Sequence, residues 1–133
     1  MNQHVINIDV LPTGTQVSID CGLYTHVGIL GDRYIDGERT VLAFSAKEGG
    51  FVEQKRSDFA ADRKIAVGGY PGNLSPCEVM DRARLWRGLP YSLFDRNCEH
   101  FVCHAHGLIP KSPQATFLVL LSLFTLVMKI AKV

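Results

Sequence analysis

The last stretch of the chain, "QATFLVLLSLFTLVMKIAKV", is the feature that most restricts what the molecule can become. Phe117, Leu118, Val119, Leu120, Leu121, Leu123 and Phe124 leave a helix there with no polar face. Such a helix belongs in a deep core or in lipid. A domain of 133 residues has little room for a helix buried on all sides. From Ala115 to Val133 it would run roughly 28 Å, close to a hydrocarbon core of about 30 Å. Lys129 and Lys132 fall near its end, where long cationic side chains can snorkel to the headgroups. Pro110 and Pro113 set the segment off. The expectation is a single domain over residues 1–113 and a membrane anchor over 114–133, spanning the bilayer or lying at its interface. A buried core helix is the alternative.

The rest of the composition is that of a globular protein: 47% hydrophobic and 20% charged residues. With 14 basic against 13 acidic side chains and no basic stripe, the chain is not expected to bind nucleic acid. The start, "MNQHVINIDV", has neither the basic n-region nor the apolar h-region of a secretory signal. Cys21, Cys77, Cys98 and Cys103 are therefore expected to be reduced thiols on the cytoplasmic side of the membrane.

The first two-thirds reads as β-structure with turn punctuation. "HVINIDV", "TQVSID", "THVGIL", "TVLAFSA", "GFVEQ" and "RKIAVGGY" are expected strands, with turns at Gly31-Asp32, Asp36-Gly37 and Gly49-Gly50. "SPCEVMDRARLWRG" opens a helix: Ser75 suits the N-cap, Pro76 the first position, Glu78 a capping box, and Gly88 the end. A second helix begins after Asn97, a favoured N-cap. Cys98, Phe101, Val102 and Ala105 then share one face, up to Gly107. The fold class expected is α+β, an antiparallel sheet packed against helices.

That second helix carries the chemistry. Cys98, Cys103, His104 and His106 offer metal ligands, but C-x4-C-H-x-H on one helix scatters them around the cylinder. No metal or other cofactor is expected. A thiol at a helix start is a better candidate, because free N–H groups and the helix dipole favour the thiolate there. It needs a base and a group to orient that base.

"YSLFDRNCEHFV" resembles the signature of the lecithin retinol acyltransferase family, with Asn97 to Val102 all in place. "LYTHVGILGDRYI" is similar to the family's upstream block, with Tyr24, His26 and Gly31-Asp32 in matching order. The resemblance covers roughly residues 10 to 133 and implies a permuted relative of the papain-like and NlpC-like thiol hydrolases. It implies that Cys98 is the acyl-accepting nucleophile and that His26, on a strand, is its base. It also implies that the apolar tail is an anchor like that of the vertebrate members. One departure stands out. Those members carry a second histidine that orients the base, and no histidine lies between His26 and His100 here. If Thr40 to Ser45 pairs back against His26, Ser45 or Lys47 lies nearest; Asp36 sits in a turn. Ser45 is the expected orienting residue, and Tyr24 is placed near the oxyanion. His100, two positions from Cys98, is expected to make a structural hydrogen bond. His104 and His106 are expected to face solvent.

The resulting expectation is a membrane-associated thiol acyltransferase or phospholipid acyl hydrolase, working through an acyl-cysteine on a phospholipid or other lipid ester. An NlpC-like cysteine peptidase or amidase is one alternative. A catalytically weak interaction module of the same fold is another.

Overall fold

The computed structural model describes residues 7–131. Five strands form one antiparallel sheet: β1 (Gln16–Asp20), β2 (Thr25–Ile35), β3 (Glu38–Ser45), β4 (Gly50–Lys55) and β5 (Ala66–Gly69). Their spatial order is β4-β3-β2-β1-β5. Four helices complete the chain: α1 (Arg56–Ala60), α2 (Pro76–Arg84), α3 (Cys98–Ala105) and α4 (Pro113–Ala131). The architecture is α+β.

Strand alternation divides the core in two. Val27, Ile29, Leu42 and Phe44 point to the face covered by α2 and α3, where they meet Val79, Ala83, Phe101 and Val102. Val17, Leu30, Val41 and Ala43 point to the other face, covered by α1 through Phe59 and by Ile8. On the first face Phe101 stacks on Phe44 at 6.1 Å between ring centroids. Trp86 meets Phe44 edge-on at 4.9 Å.

The central β2–β3 hairpin turns at Asp36-Gly37, where both residues have positive φ (51° and 77°). Asp-Gly is the pair that a two-residue hairpin turn of this kind selects. Gly31-Asp32, expected to be a second turn, lies inside β2. The register passes from Leu30↔Val41 to Tyr34↔Arg39, so β2 has two more residues than its partner and bulges there. The bulge has its own partners. Thr40 Oγ1 donates to Arg33 O at 3.0 Å, and Arg39 Nε donates to Gly31 O at 3.1 Å. The rest of the buried Arg39 guanidinium donates to Ile8 O, Leu11 O and Thr13 Oγ1, which ties the chain's entry to the sheet.

Other elements differ from expectation for local reasons. "HVINIDV" is not a strand where it is described: Ile8–Val10 is one 3-10 turn capped by Asn7, and residues 4–6 lie outside the described residues. Helix α2 starts as expected, with Ser75 Oγ accepting from Glu78 N–H, but it ends at Arg84. Its last stretch to Gly88 continues as turns, with Gly88 at φ 79°. Helix α1, with only five residues and no side-chain cap, had no periodic signal to announce it.

Asn97 caps α3 by accepting from Glu99 and His100 N–H at 3.0 Å each, while its Nδ2 donates to Leu93 O. Helix α4 stands largely outside the core. Only Ala115 is buried, while Phe117, Leu120, Leu123 and Phe124 are all more than half exposed. It is long and apolar enough to cross a bilayer by length and composition.

At Gly31 a Cβ would collide with Thr40 Oγ1 and the Leu42 side chain. Gly31→Ala is therefore expected to lower stability by about 1–3 kcal/mol, the usual cost of overpacking. Chemical denaturation of the two proteins side by side measures it; an unchanged midpoint would mean that the bulge is not held as described.

Candidate active site

Cys98 is the first residue of α3, 6% exposed, and it packs among the residues that face α2 and α3. His26 is the second residue of β2. It faces the opposite side of the sheet, its ring against Phe59 at 5.2 Å between centroids. Both lie by the end of the sheet where β2 begins at Thr25. At that end of the sheet a cavity of about 280 Å³ is lined by Tyr24, His26, Ser45, Phe59, Tyr91 and Cys98.

The four expected site residues thus share one cleft. Continuing the Gly28↔Ala43 register puts Ser45 across from His26. The Ser45 hydroxyl accepts from Glu48 N–H at 3.3 Å. The imidazole has no hydrogen bond to Ser45, nor to any other described residue; Cys98 Sγ points to Thr25 O, 3.9 Å away. Asp36 lies at the far end of the hairpin, paired with Lys55 at 3.6 Å.

Several cleft residues were not singled out from sequence, Tyr91, Gln54 and Asp58 among them. Tyr91 stood in the quoted motif, and the signal for it was there. Gln54 and Asp58 reach the cleft from β4 and α1. Asp58 escaped notice because α1 did, and it brings a carboxylate to the cavity that holds His26; Gln54 lies on an expected strand, but nothing local shows that its side chain reaches the cleft.

Burial governs the electrostatics. It pushes the Cys98 thiol up from its ordinary value, outweighing the N–H groups of Val27, Cys98 and Glu99 that favour the thiolate; the Glu99 charge adds to the rise. Burial also pushes His26 down. Both shifts favour the neutral forms, so at neutral pH the pair rests as thiol and imidazole, and the imidazole is free to accept a proton. The Tyr24 phenol is pushed up, first by its hydrogen bond with Cys21 and then by burial, and it remains an O–H donor.

The other histidines depart from expectation. His106 is 1% exposed. Its Nε2 pairs with Gly14 O at 2.7 Å, and its Nδ1 accepts from Gly72 N–H at 3.3 Å. His104 stacks on Trp86 at 5.0 Å, with Nε2 2.9 Å from Arg82 O. Both are covered because α2 and the segment before it pack over the last turn of α3. His100 is buried, but its Nδ1 has no hydrogen-bond partner among the described residues. All four cysteines are free thiols. Among the described residues no three His, Cys, Asp or Glu side chains gather as a metal site would require.

A buried cysteine opening a helix and a histidine at a strand's start thus line one cleft, the two residue types that a thiol nucleophile and its base would require. The chain matches the lecithin retinol acyltransferase family over residues 10–107, which spans both Cys98 and His26. It belongs to that family, whose members are generally acyltransferases. No curated protein matches the chain.

The raised thiol carries a pH signature. The rate of Cys98 alkylation by iodoacetamide, followed by peptide mapping, should still be climbing at pH 9, because the thiolate fraction grows only as pH approaches the elevated value. A plateau already reached near pH 6–7 would instead reveal a preformed thiolate–imidazolium pair.

Proposed function

We propose that the protein is a membrane-associated thiol acyltransferase or phospholipid acyl hydrolase, with Cys98 as nucleophile and His26 as general base. The convergence of these two side chains on one cleft, from opposite faces of the sheet, carries this reading. His26 takes the thiol proton as Cys98 Sγ attacks the ester carbonyl carbon. The tetrahedral intermediate collapses as the alcohol leaves with the proton from His26, and the acyl group stays on sulfur. Water or an acceptor amine or alcohol then attacks the thioester, giving its proton to His26, and the thiolate leaves and is reprotonated. The oxyanion is met by the Cys98 N–H, which the Asn97 side chain does not take, and by the Tyr24 hydroxyl.

Residues 1–113 form the catalytic domain in this reading and 114–133 the anchor. The exposed apolar length of α4 supports a membrane location, with the domain on the cytoplasmic side. Tethering an enzyme to the surface that holds its substrate raises the effective concentration of that substrate. Ser45 orients His26 by swinging its hydroxyl from the Glu48 N–H to the imidazole. Asp58 is the competing orienter.

The interaction-module reading draws on one observation: in the resting structure His26 lacks an orienting bond, and Sγ points to a carbonyl. Intact mass after incubation with mixed phospholipids separates the two. An acyl adduct that maps to Cys98, disappears in Cys98→Ser and survives Cys103→Ser is expected. A wild-type protein that never gains an adduct would leave the module. Ser45→Ala should slow acylation about 10-fold, the loss of roughly 1–1.5 kcal/mol. If Ser45→Ala is silent and Asp58→Asn is not, the orienting role passes to Asp58.

A further inference from the structure

We propose that the first turns of α4 form one wall of an acyl-chain site ending at Cys98, so that the helix reaching the bilayer also binds the fatty chain of the lipid ester. The proposal rests on the acyl-cysteine reading above and adds the site for the chain. A second cavity, of about 510 Å³, starts at Cys98 and is lined by Leu23, Tyr24, Tyr91, Leu93, Ala115 and Leu118. Its size falls within the range of about 300–1,000 Å³ of small-ligand sites. Around it Leu23, Leu93 and Leu118 present large apolar side chains to the surroundings, Leu23 fully exposed. Grouped exposure of this kind marks a binding surface.

The wall is built into the fold. Gln114 Oε1 accepts from Thr25 N–H at 2.8 Å, and Gln114 Nε2 donates to Thr25 O at 3.0 Å. Glu99, the second residue of α3, accepts from the Ser112 hydroxyl and from Gln114 N–H. Ser112 Oγ in turn accepts from Ala115 N–H at 3.1 Å, and both residues are buried. The start of α4 is thereby bonded to the strand end that carries His26 and to the helix start that carries Cys98.

The same bonds decide the occupant. Apart from the Tyr24 and Tyr91 phenols, which also line the first cavity, the polar side chains at the groove are Asn97, Glu99, Ser112 and Gln114. Asn97 serves α3 and Leu93 O, Gln114 is engaged at both ends by Thr25, and Glu99 and Ser112 hold each other. A peptide laid in the groove would leave its own amides unmet beside the leucines, which is costly. A hydrocarbon chain asks for nothing more than the apolar wall, and α4 carries that wall onward toward lipid.

The test needs no turnover. In the full chain in nonionic detergent, Cys98 is modified by methyl or dodecyl methanethiosulfonate. The thiolate attacks the sulfenyl sulfur, a new S–S bond forms and methanesulfinate leaves. Rates at Cys98 are divided by those at the exposed Cys77 in the same micelles, which cancels partitioning. The dodecyl reagent is expected to be favoured at Cys98 at least about 10-fold. That is 1.4 kcal/mol, what the burial of roughly two methylenes supplies. Leu118→Trp, which fills the groove from an exposed helix position, should abolish the preference, while Leu126→Trp, further along α4, should leave it. A wild-type protein with no preference, or a preference that survives Leu118→Trp, overturns the proposal. An acyl adduct from lipid esters without a chain-length preference would remove the groove and keep the catalytic reading. A preference without any adduct would do the reverse.

Discussion

The backbone of Thr25 is the junction on which the site depends. Its carbonyl lies beside the Cys98 thiol and accepts from Gln114, and its N–H donates to the same glutamine. The helix of Cys98, the strand of His26 and the apolar helix α4 therefore meet at one residue. The junction holds because α3 is pinned elsewhere: Asn97 completes its first turn, and Phe101 is locked among Phe44, Phe51 and Trp86. A shift of α3 along the sheet could move the thiol only by breaking this aromatic packing.

The geometry sets the resting chemistry. A helix N-terminus and three backbone N–H groups favour the thiolate, yet burial in an apolar core wins, and the thiol is raised. The same burial lowers His26. In the proposed mechanism a neutral pair has to transfer its proton during attack, so alignment of the imidazole matters more than it would for a preformed ion pair. The strand facing His26 brings the Ser45 hydroxyl to the cleft, and the short helix α1 brings the Asp58 carboxylate.

Much of this was legible in local pattern. Asn97 followed by an apolar face announced α3, Ser75-Pro76 announced α2, and Asp36-Gly37 announced the central hairpin, because caps and tight turns are decided within a few residues. The turn alone, continued from Ile35↔Glu38, would set Lys47 across from His26; the two-residue bulge in β2 shifts the register and puts Ser45 there. Gly31-Asp32 misled. Its dipeptide reads as a turn, but Arg39 on the neighbouring strand meets the Gly31 carbonyl and Thr40 meets that of Arg33, which holds the stretch as a bulge.

By itself, then, the sequence determined the helix starts, the hairpin, the nucleophile and base candidates, and a terminal helix with no polar face. Each of these rests on covalent neighbours or on periodicity. Only the tertiary structure decided that His26 and Cys98, on opposite faces of the sheet, meet around its open end. It alone buried His106 beneath the approach to α2, brought Asp58 into the cleft, and fastened α4 to Thr25. Those outcomes depend on contacts between residues tens of positions apart, and on burial, which no short stretch of chain carries within itself.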